Sequence, residues 1–445
     1  MWALFFLIFS MKAFSQFCIS SFERDQETLT AKFHYTFDDK KFFTETINFS
    51  PLKDKNLFPI IRTEKNQIFH LLSQIHIALG VSYYKLFPTK EILVQTSFLN
   101  EAQKNFWQEF YLKGLWEFFY QNQIDPRGLA EFSCDASAPL YDQKVALKGE
   151  KALVLFWGGK DSLVTVELLK KQGQQFDLFS FGKDYPLHQL AQLPTEKKRL
   201  IIQRKIDLPQ IQKLLDEGYY NGHVPITGTI CFVSLLVAYL YGYQAVITSL
   251  EKSADEGNTH YCDMEINHQW SKSSEFEKVF QNYINQWIAS DFSLYSPLRK
   301  WYEIRIVKEF CQYPQYFHSF SSCNRNFHLV GTKLTGEKLW CWICPKCAFV
   351  YTMMRAFLPK EEVIQIFGHD LFSDETLVPL FQELLGISGI KPFECVGTNE
   401  EMILAFRLIF QKEHEVNATM IKLFVDHVKS KMNISDFSLL EEKLL

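Results

Sequence analysis

The chain has 445 residues, with 47 lysines and arginines against 51 aspartates and glutamates and a formal net charge of −4. That balance leaves no electrostatic footprint for nucleic acid, and no long block of like charge changes it. Apolar residues make up 47% and phenylalanine alone contributes 42, which excludes a disordered chain and predicts several packed domains.

Residues 1–16 form an apolar extension. The run Trp2–Phe9 has the length of a signal segment but lacks a positive start, and Lys12 lies on its wrong side. It is too short to span a bilayer, so no stable membrane insertion is expected, and the missing positive start favours a cytoplasmic protein over a secreted one. Residues 17–49 then alternate apolar and polar (Leu29, Ala31, Phe33 and Tyr35, then Phe42, Phe43 and Ile47) around Asp38-Asp39-Lys40, which predicts an antiparallel hairpin. Helical spacing follows over 68–79 and 98–120. The Ser-, Ala-, Pro- and Asp-containing stretch 133–142 predicts a boundary closing an N-terminal α+β domain over residues 17–145.

From Lys151 the pattern changes. Apolar runs at 152–156, 176–181, 200–202 and 244–250 read as strands, with helices at 162–171, stopped by Gly173, and at 229–241, stopped by Gly242. Such alternation predicts an α/β domain over 146–300, a doubly wound parallel sheet with ligands at the carboxyl ends of its strands. Residues 301–445 read as a mostly helical region with one cysteine-rich insertion.

The first of these strands runs into Phe156-Trp157-Gly158-Gly159-Lys160-Asp161-Ser162. Two glycines between a buried strand and a helix make a loop of free backbone N–H groups, where the helix dipole favours an oxyanion. Gly158 and Gly159 permit close approach of a phosphate, Lys160 adds a point charge, Asp161 suits a magnesium ion, and Ser162 can cap the helix. The spacing is not that of the Walker loop. It resembles the SGGKDS loop of the PP-loop ATP pyrophosphatases, which implies ATP and Mg²⁺ as cofactors and a HUP-like doubly wound fold; Trp157 stands where that family has its leading serine.

Cys323 and the run Cys341-x-x-Cys344-x-x-Cys347 form the second constellation. Four thiolates with two Cys-x-x-Cys turns suit tetrahedral zinc in a structural role, and an iron–sulfur cluster is the rival. A similar zinc site follows the PP-loop domain in the 7-cyano-7-deazaguanine synthase family. Polar groups also collect at predicted strand ends: His223 and Thr227, then Glu251 and Ser253, then Asn267, His268, Ser271, Lys272 and Ser273. Cys395 stands beside Glu394 in a glycine-containing turn and can move a proton if its pKa is displaced.

In order, Trp-Gly-Gly-Lys-Asp-Ser, Gly-His-x-Pro, Glu-x-Ser-Ala, Asn-His-Gln-Trp-Ser-Lys-Ser, Cys-Pro-Lys-Cys and Lys-Pro-Phe-Glu-Cys-Val-Gly-Thr resemble the UDP-N-acetyl-α-D-muramoyl-L-alanyl-L-glutamate epimerases of bacterial peptidoglycan synthesis. The resemblance implies a UDP-N-acetylmuramoyl dipeptide as substrate partner and inversion of its terminal L-glutamate through a carboxyl adenylate, with AMP and pyrophosphate released. It assigns catalysis to Lys160, Asp161, Glu251, His268, Lys272 and Cys395. Substrate contact falls to His223, Thr227, Ser253, Asn267, Ser271 and Ser273, and nucleotide contact to residues 158–162. An amide- or nitrile-forming ligase using the same adenylate is the alternative enzyme, and a non-catalytic nucleotide-binding module the alternative outside enzymology.

Overall fold

A computed structural model describes residues 13–25, 28–49, 65–183, 186–326, 339–413 and 418–445. The expected apolar extension lies almost wholly outside these residues. Phe14, next to it, stacks on Phe37 and Tyr219 in the core.

Three antiparallel strands open the fold: β1 (Gln16–Asp25), β2 (Thr30–Phe37) and β3 (Lys41–Asn48). Asp38 and Asp39, at φ 48° and 52°, make the two-residue left-handed turn that matches strand twist. The expected hairpin is thus a three-stranded meander. Helix α1 (Lys65–Tyr84) and strand β4 (Glu91–Val94) follow, then α2 (Glu101–Gly114), α3 (Trp116–Gln121) and β5 (Glu131–Cys134). The helix read over 98–120 is therefore two helices, broken at Leu115. The reason is local: a Cβ on Gly114 would stand 2.5 Å from Pro225 Cγ, so the bare glycine lets another segment in at the break.

The second half supplies β6 (Lys151–Leu155), α4 (Lys160–Lys171), β7 (Phe176–Phe181), β8 (Arg199–Lys205), α5 (Ile226–Tyr241) and β9 (Tyr243–Ile247). A small hairpin, β10 (Thr259–Tyr261) and β11 (Met264–Ile266), precedes α6 (Ser274–Trp287) and β12 (Ser293–Tyr295). Strands β12, β9, β6, β7 and β8 lie side by side and all pair in parallel. Sequence order reverses between β6 and β9, and a doubly wound sheet opens a ligand crevice at such a reversal. The Gly158-Gly159 loop leaves β6 at that point.

The two halves share one sheet. β8 pairs antiparallel with β3, Thr46 facing Lys205, so ten strands run without interruption across the boundary expected near residue 145. Joining the edges hides two rows of backbone groups that would otherwise need covering. Buried Arg204 seals the seam, with Nε 2.5 Å from Glu45 Oε1 and Nη2 2.9 Å from Ser82 Oγ. One face of the sheet packs α1, α2, α5 and α6 into an aromatic core. The other packs α4 against α7 (Glu303–Phe310), α8 (Pro345–Phe357), α9 (Asn399–Glu413) and further C-terminal helices. Among the described residues no helix is long and apolar enough to cross a membrane.

Candidate active site

Gly158 adopts φ 74°, a left-handed conformation that favours glycine, and Gly159 begins α4 without a side-chain cap. The first amides of the helix are therefore left uncapped by side chains, while Ser162 donates its hydroxyl back to the Gly159 carbonyl at 2.8 Å. Lys160 is fully buried. Its Nζ lies 2.5 Å from Asp161 Oδ1 and 2.5 Å from Glu303 Oε2. The other oxygen of Glu303 lies 2.7 Å from Lys346 Nζ. Burial alone would push Glu303 up, but the two ammonium groups outweigh it and bring the carboxyl down to about 2.

A second cluster adjoins the first. Lys272 Nζ lies 2.8 Å from Cys395 Sγ, and His268 Nε2 lies 3.8 Å from the same sulfur. The other ring nitrogen of His268 meets Glu117 Oε2 at 2.5 Å, and His223 Nδ1 stands 3.6 Å from that oxygen. Burial disfavours a thiolate, yet the Lys272 charge and the His268 contact prevail and lower Cys395 to about 5. His268 mirrors it. Burial acts against the imidazolium, but Cys395 and Glu117 carry the ring up to about 9. Desolvation, reinforced by the charges of His268 and Lys272, holds the half-buried His223 well below its ordinary value. By contrast burial lifts Cys18 and Cys311 to about 12, as expected of cysteines that only pack.

Glu251 sits between the clusters at the end of β9. Burial, reinforced by the charges of Glu303 and Asp161, raises it to about 7. Arg299 donates to the Glu251 carbonyl and the Lys272 carbonyl, both at 3.0 Å, and so holds the two loops together while pairing with Glu277.

Other polar groups expected at the rim are committed to shaping it. Ser273 Oγ caps α6 by accepting from Phe276 N at 3.1 Å, Asn267 bridges Ala254 O and Gln269 N, and Ser253 Oγ accepts from Glu303 N at 3.0 Å. Ser271 is buried in the turn before Lys272, and Thr227 is half-buried on the first turn of α5.

The four cysteine sulfurs of residues 323, 341, 344 and 347 lie within 4.8 Å of one another, and Cys341 Sγ to Cys347 Sγ is 3.8 Å. A tetrahedron with metal–sulfur bonds of about 2.3 Å has edges of about 3.8 Å, so the set suits one ion.

The model of the MurL N-terminal domain matches residues 8–297, and that of the MurL C-terminal domain matches residues 319–437. The UDP-N-acetyl-alpha-D-muramoyl-L-alanyl-L-glutamate epimerase of Xanthomonas oryzae pv. oryzae is 31% identical over 433 residues, covering 96% of this chain and 94% of that protein. The proteins of that name from Micromonospora sp. and Salinispora tropica are 32% and 30% identical, each covering 94% of this chain and 92% and 90% of their own length. The chain belongs to the UDP-N-acetyl-α-D-muramoyl-L-alanyl-L-glutamate epimerase family. Within this member, sequence reasoning missed Glu117, Arg299, Glu303 and Lys346. Glu117 is read from sequence only as part of an aromatic helix. The glutamate in Tyr302-Glu303-Ile304 carries no motif, and Lys346 is hidden as a spacer between cysteines.

Proposed function

We propose that the protein is an ATP-dependent epimerase that inverts the terminal L-glutamate of UDP-N-acetylmuramoyl-L-alanyl-L-glutamate, in the cytoplasm and on the route to peptidoglycan. One observation carries the reading: a half-buried thiol held against a lysine and a histidine, and lowered to about 5 by them, adjoins an uncapped diglycine loop with a buried lysine.

The α-hydrogen of an ionised glutamate is a poor acid, because its removal sets a second negative charge beside a carboxylate. Adenylation by ATP removes that charge and releases pyrophosphate. The first amides of α4, with Lys160, hold the departing phosphates in a PP-loop manner. Asp161, a quarter exposed beside Lys160, is an oxygen donor suited to Mg²⁺, which supplies Lewis-acid neutralisation of the phosphates.

The Cys395 thiolate then takes the α-proton, and the ammonium of Lys272 faces the developing enolate. Glu251, at about 7, is available in both protonation states near neutrality and returns a proton to the opposite face. Hydrolysis of the adenylate liberates AMP and the D-glutamyl product. The four cysteines hold structural zinc.

Incubation with ATP, Mg²⁺ and the L-Ala-L-Glu nucleotide should yield D-glutamate, AMP and pyrophosphate without added ammonia. AMP formation that depends on ammonia would transfer the protein to the amide- or nitrile-forming ligases. Nucleotide binding with no AMP at all would leave a non-catalytic module.

A further inference from the structure

The four-cysteine turn is linked to the diglycine loop through Lys346 and the carboxylate of Glu303. Cys344 caps α8, its Sγ accepting from Cys347 N at 3.4 Å, and Pro345 starts the helix. This fixes the backbone of Lys346 between two metal ligands. The side chain is 7% exposed and ends at Glu303, whose opposite oxygen holds Lys160 of the loop. One carboxylate therefore presents two ammonium groups side by side. On the other flank, a Cβ on Gly159 would meet Ser322 Oγ at 3.8 Å and Ser321 O at 3.9 Å, so the chain leading into Cys323 also runs along the loop.

A staple does not need this arrangement. A lysine between two cysteines is free to point into water, whereas burying an ammonium is costly unless its partners compensate. Lys160 donates a hydrogen bond to Asp161 and forms an ion pair with Glu303, while among the described residues the one polar partner of Lys346 is Glu303. An ammonium has three donors, so Lys346 retains donors for phosphate oxygens. Glu303 is the shared counter-ion that aligns both.

We propose that Lys346 binds the polyphosphate tail of the nucleotide together with Lys160, and that the four-cysteine centre serves to hold it there. The inference rests on the nucleotide reading above and adds a ligand and a purpose for the metal turn. It distinguishes polyphosphate from the nucleoside: Lys346 contacts the departing pyrophosphate, so a ligand lacking that group ignores it.

The test is calorimetric binding of ATP, inorganic pyrophosphate and AMP to the wild-type protein, K346M and K346R, with bound metal and melting temperature measured for each. K346M should weaken ATP and pyrophosphate by about 10- to 100-fold, in line with loss of a charge-assisted contact, and AMP by less than about twofold. K346R should recover most of the loss, with metal content unchanged throughout and any fall in melting temperature confined to K346M, where Glu303 loses one of its two buried partners. Unaltered ATP affinity in K346M, or equal weakening of ATP and AMP, overturns the proposal. Should K346M not fold, K346Q carries the same comparison, and failure of both to fold with metal bound makes the lysine structural and equally overturns it. A wild-type protein that binds neither ATP nor pyrophosphate refutes the loop reading itself, a distinct outcome.

Discussion

The two polar clusters use similar residues to opposite ends. Around the diglycine loop, Lys160 and Lys346 lie against Glu303 and Asp161, and Glu303 is pinned near 2. Its charge is fixed at any physiological pH. Around the thiol, Cys395 at about 5 and His268 at about 9 stand in contact, and Glu251 and Glu394 have both risen to about 7. For Glu394 the cause is burial, reinforced by the Cys395 charge. Burial is common to both clusters, so what differs is the partner. A carboxylate clamped between two ammonium groups stays charged, whereas a thiol set against a titratable imidazole and a lysine gives groups poised to exchange protons. A fixed-charge end suits a polyphosphate, and a poised end suits acid–base work at carbon.

The difference can be broken most sharply at the thiol. Cys395→Ser should slow α-proton exchange by about 10²- to 10⁴-fold, the usual weight of a positioned base, while substrate-dependent AMP formation stays within a few-fold. Parallel loss of both activities would merge the clusters into one function. The converse change, Asp161→Asn, should reduce AMP formation by about two to three orders of magnitude through weakened metal binding, and exchange should fall with it because the adenylate must form first. Exchange that survives without AMP would remove the activation step.

Glu117→Gln sharpens the role of the helix partner. Replacing a carboxylate on His268 Nδ1 by an amide should slow exchange about tenfold, equivalent to one charge-assisted hydrogen bond, with little change in AMP formation. It should also move the alkaline limit of exchange below the wild-type position. That limit follows from the signs. The productive state has Cys395 as thiolate, Glu251 protonated and His268 as imidazolium, so activity rises as Cys395 loses its proton near pH 5, begins to fall as Glu251 loses its own near pH 7, and falls more steeply as His268 follows near pH 9. A pH–rate profile rising again beyond pH 9 would deny the imidazolium any part.

Legibility in the sequence followed locality. Gly158 to Ser162 are consecutive, and the strand and helix around them have plain periodicities, so the loop and its place at the carboxyl end of a strand could be read, whereas the order reversal beside it could not. Cys341, Cys344 and Cys347 were legible for the same reason. Glu117 is 151 residues from His268, and Glu303 is 43 from Lys346, so only packing of the helices brings them together. Serines 253 and 273 show the converse: their residue type suits substrate contact, but backbone N–H groups claim their hydroxyls. The single sheet was likewise hidden, because the β3–β8 junction joins residues 159 apart in sequence and has no composition of its own.

Turnover in D₂O tests the central claim most directly. With ATP, Mg²⁺ and UDP-N-acetylmuramoyl-L-alanyl-L-glutamate, the D-glutamyl product should carry solvent deuterium at its α-carbon and appear together with AMP. AMP accompanied by an α-carbon that keeps its original hydrogen would contradict the account.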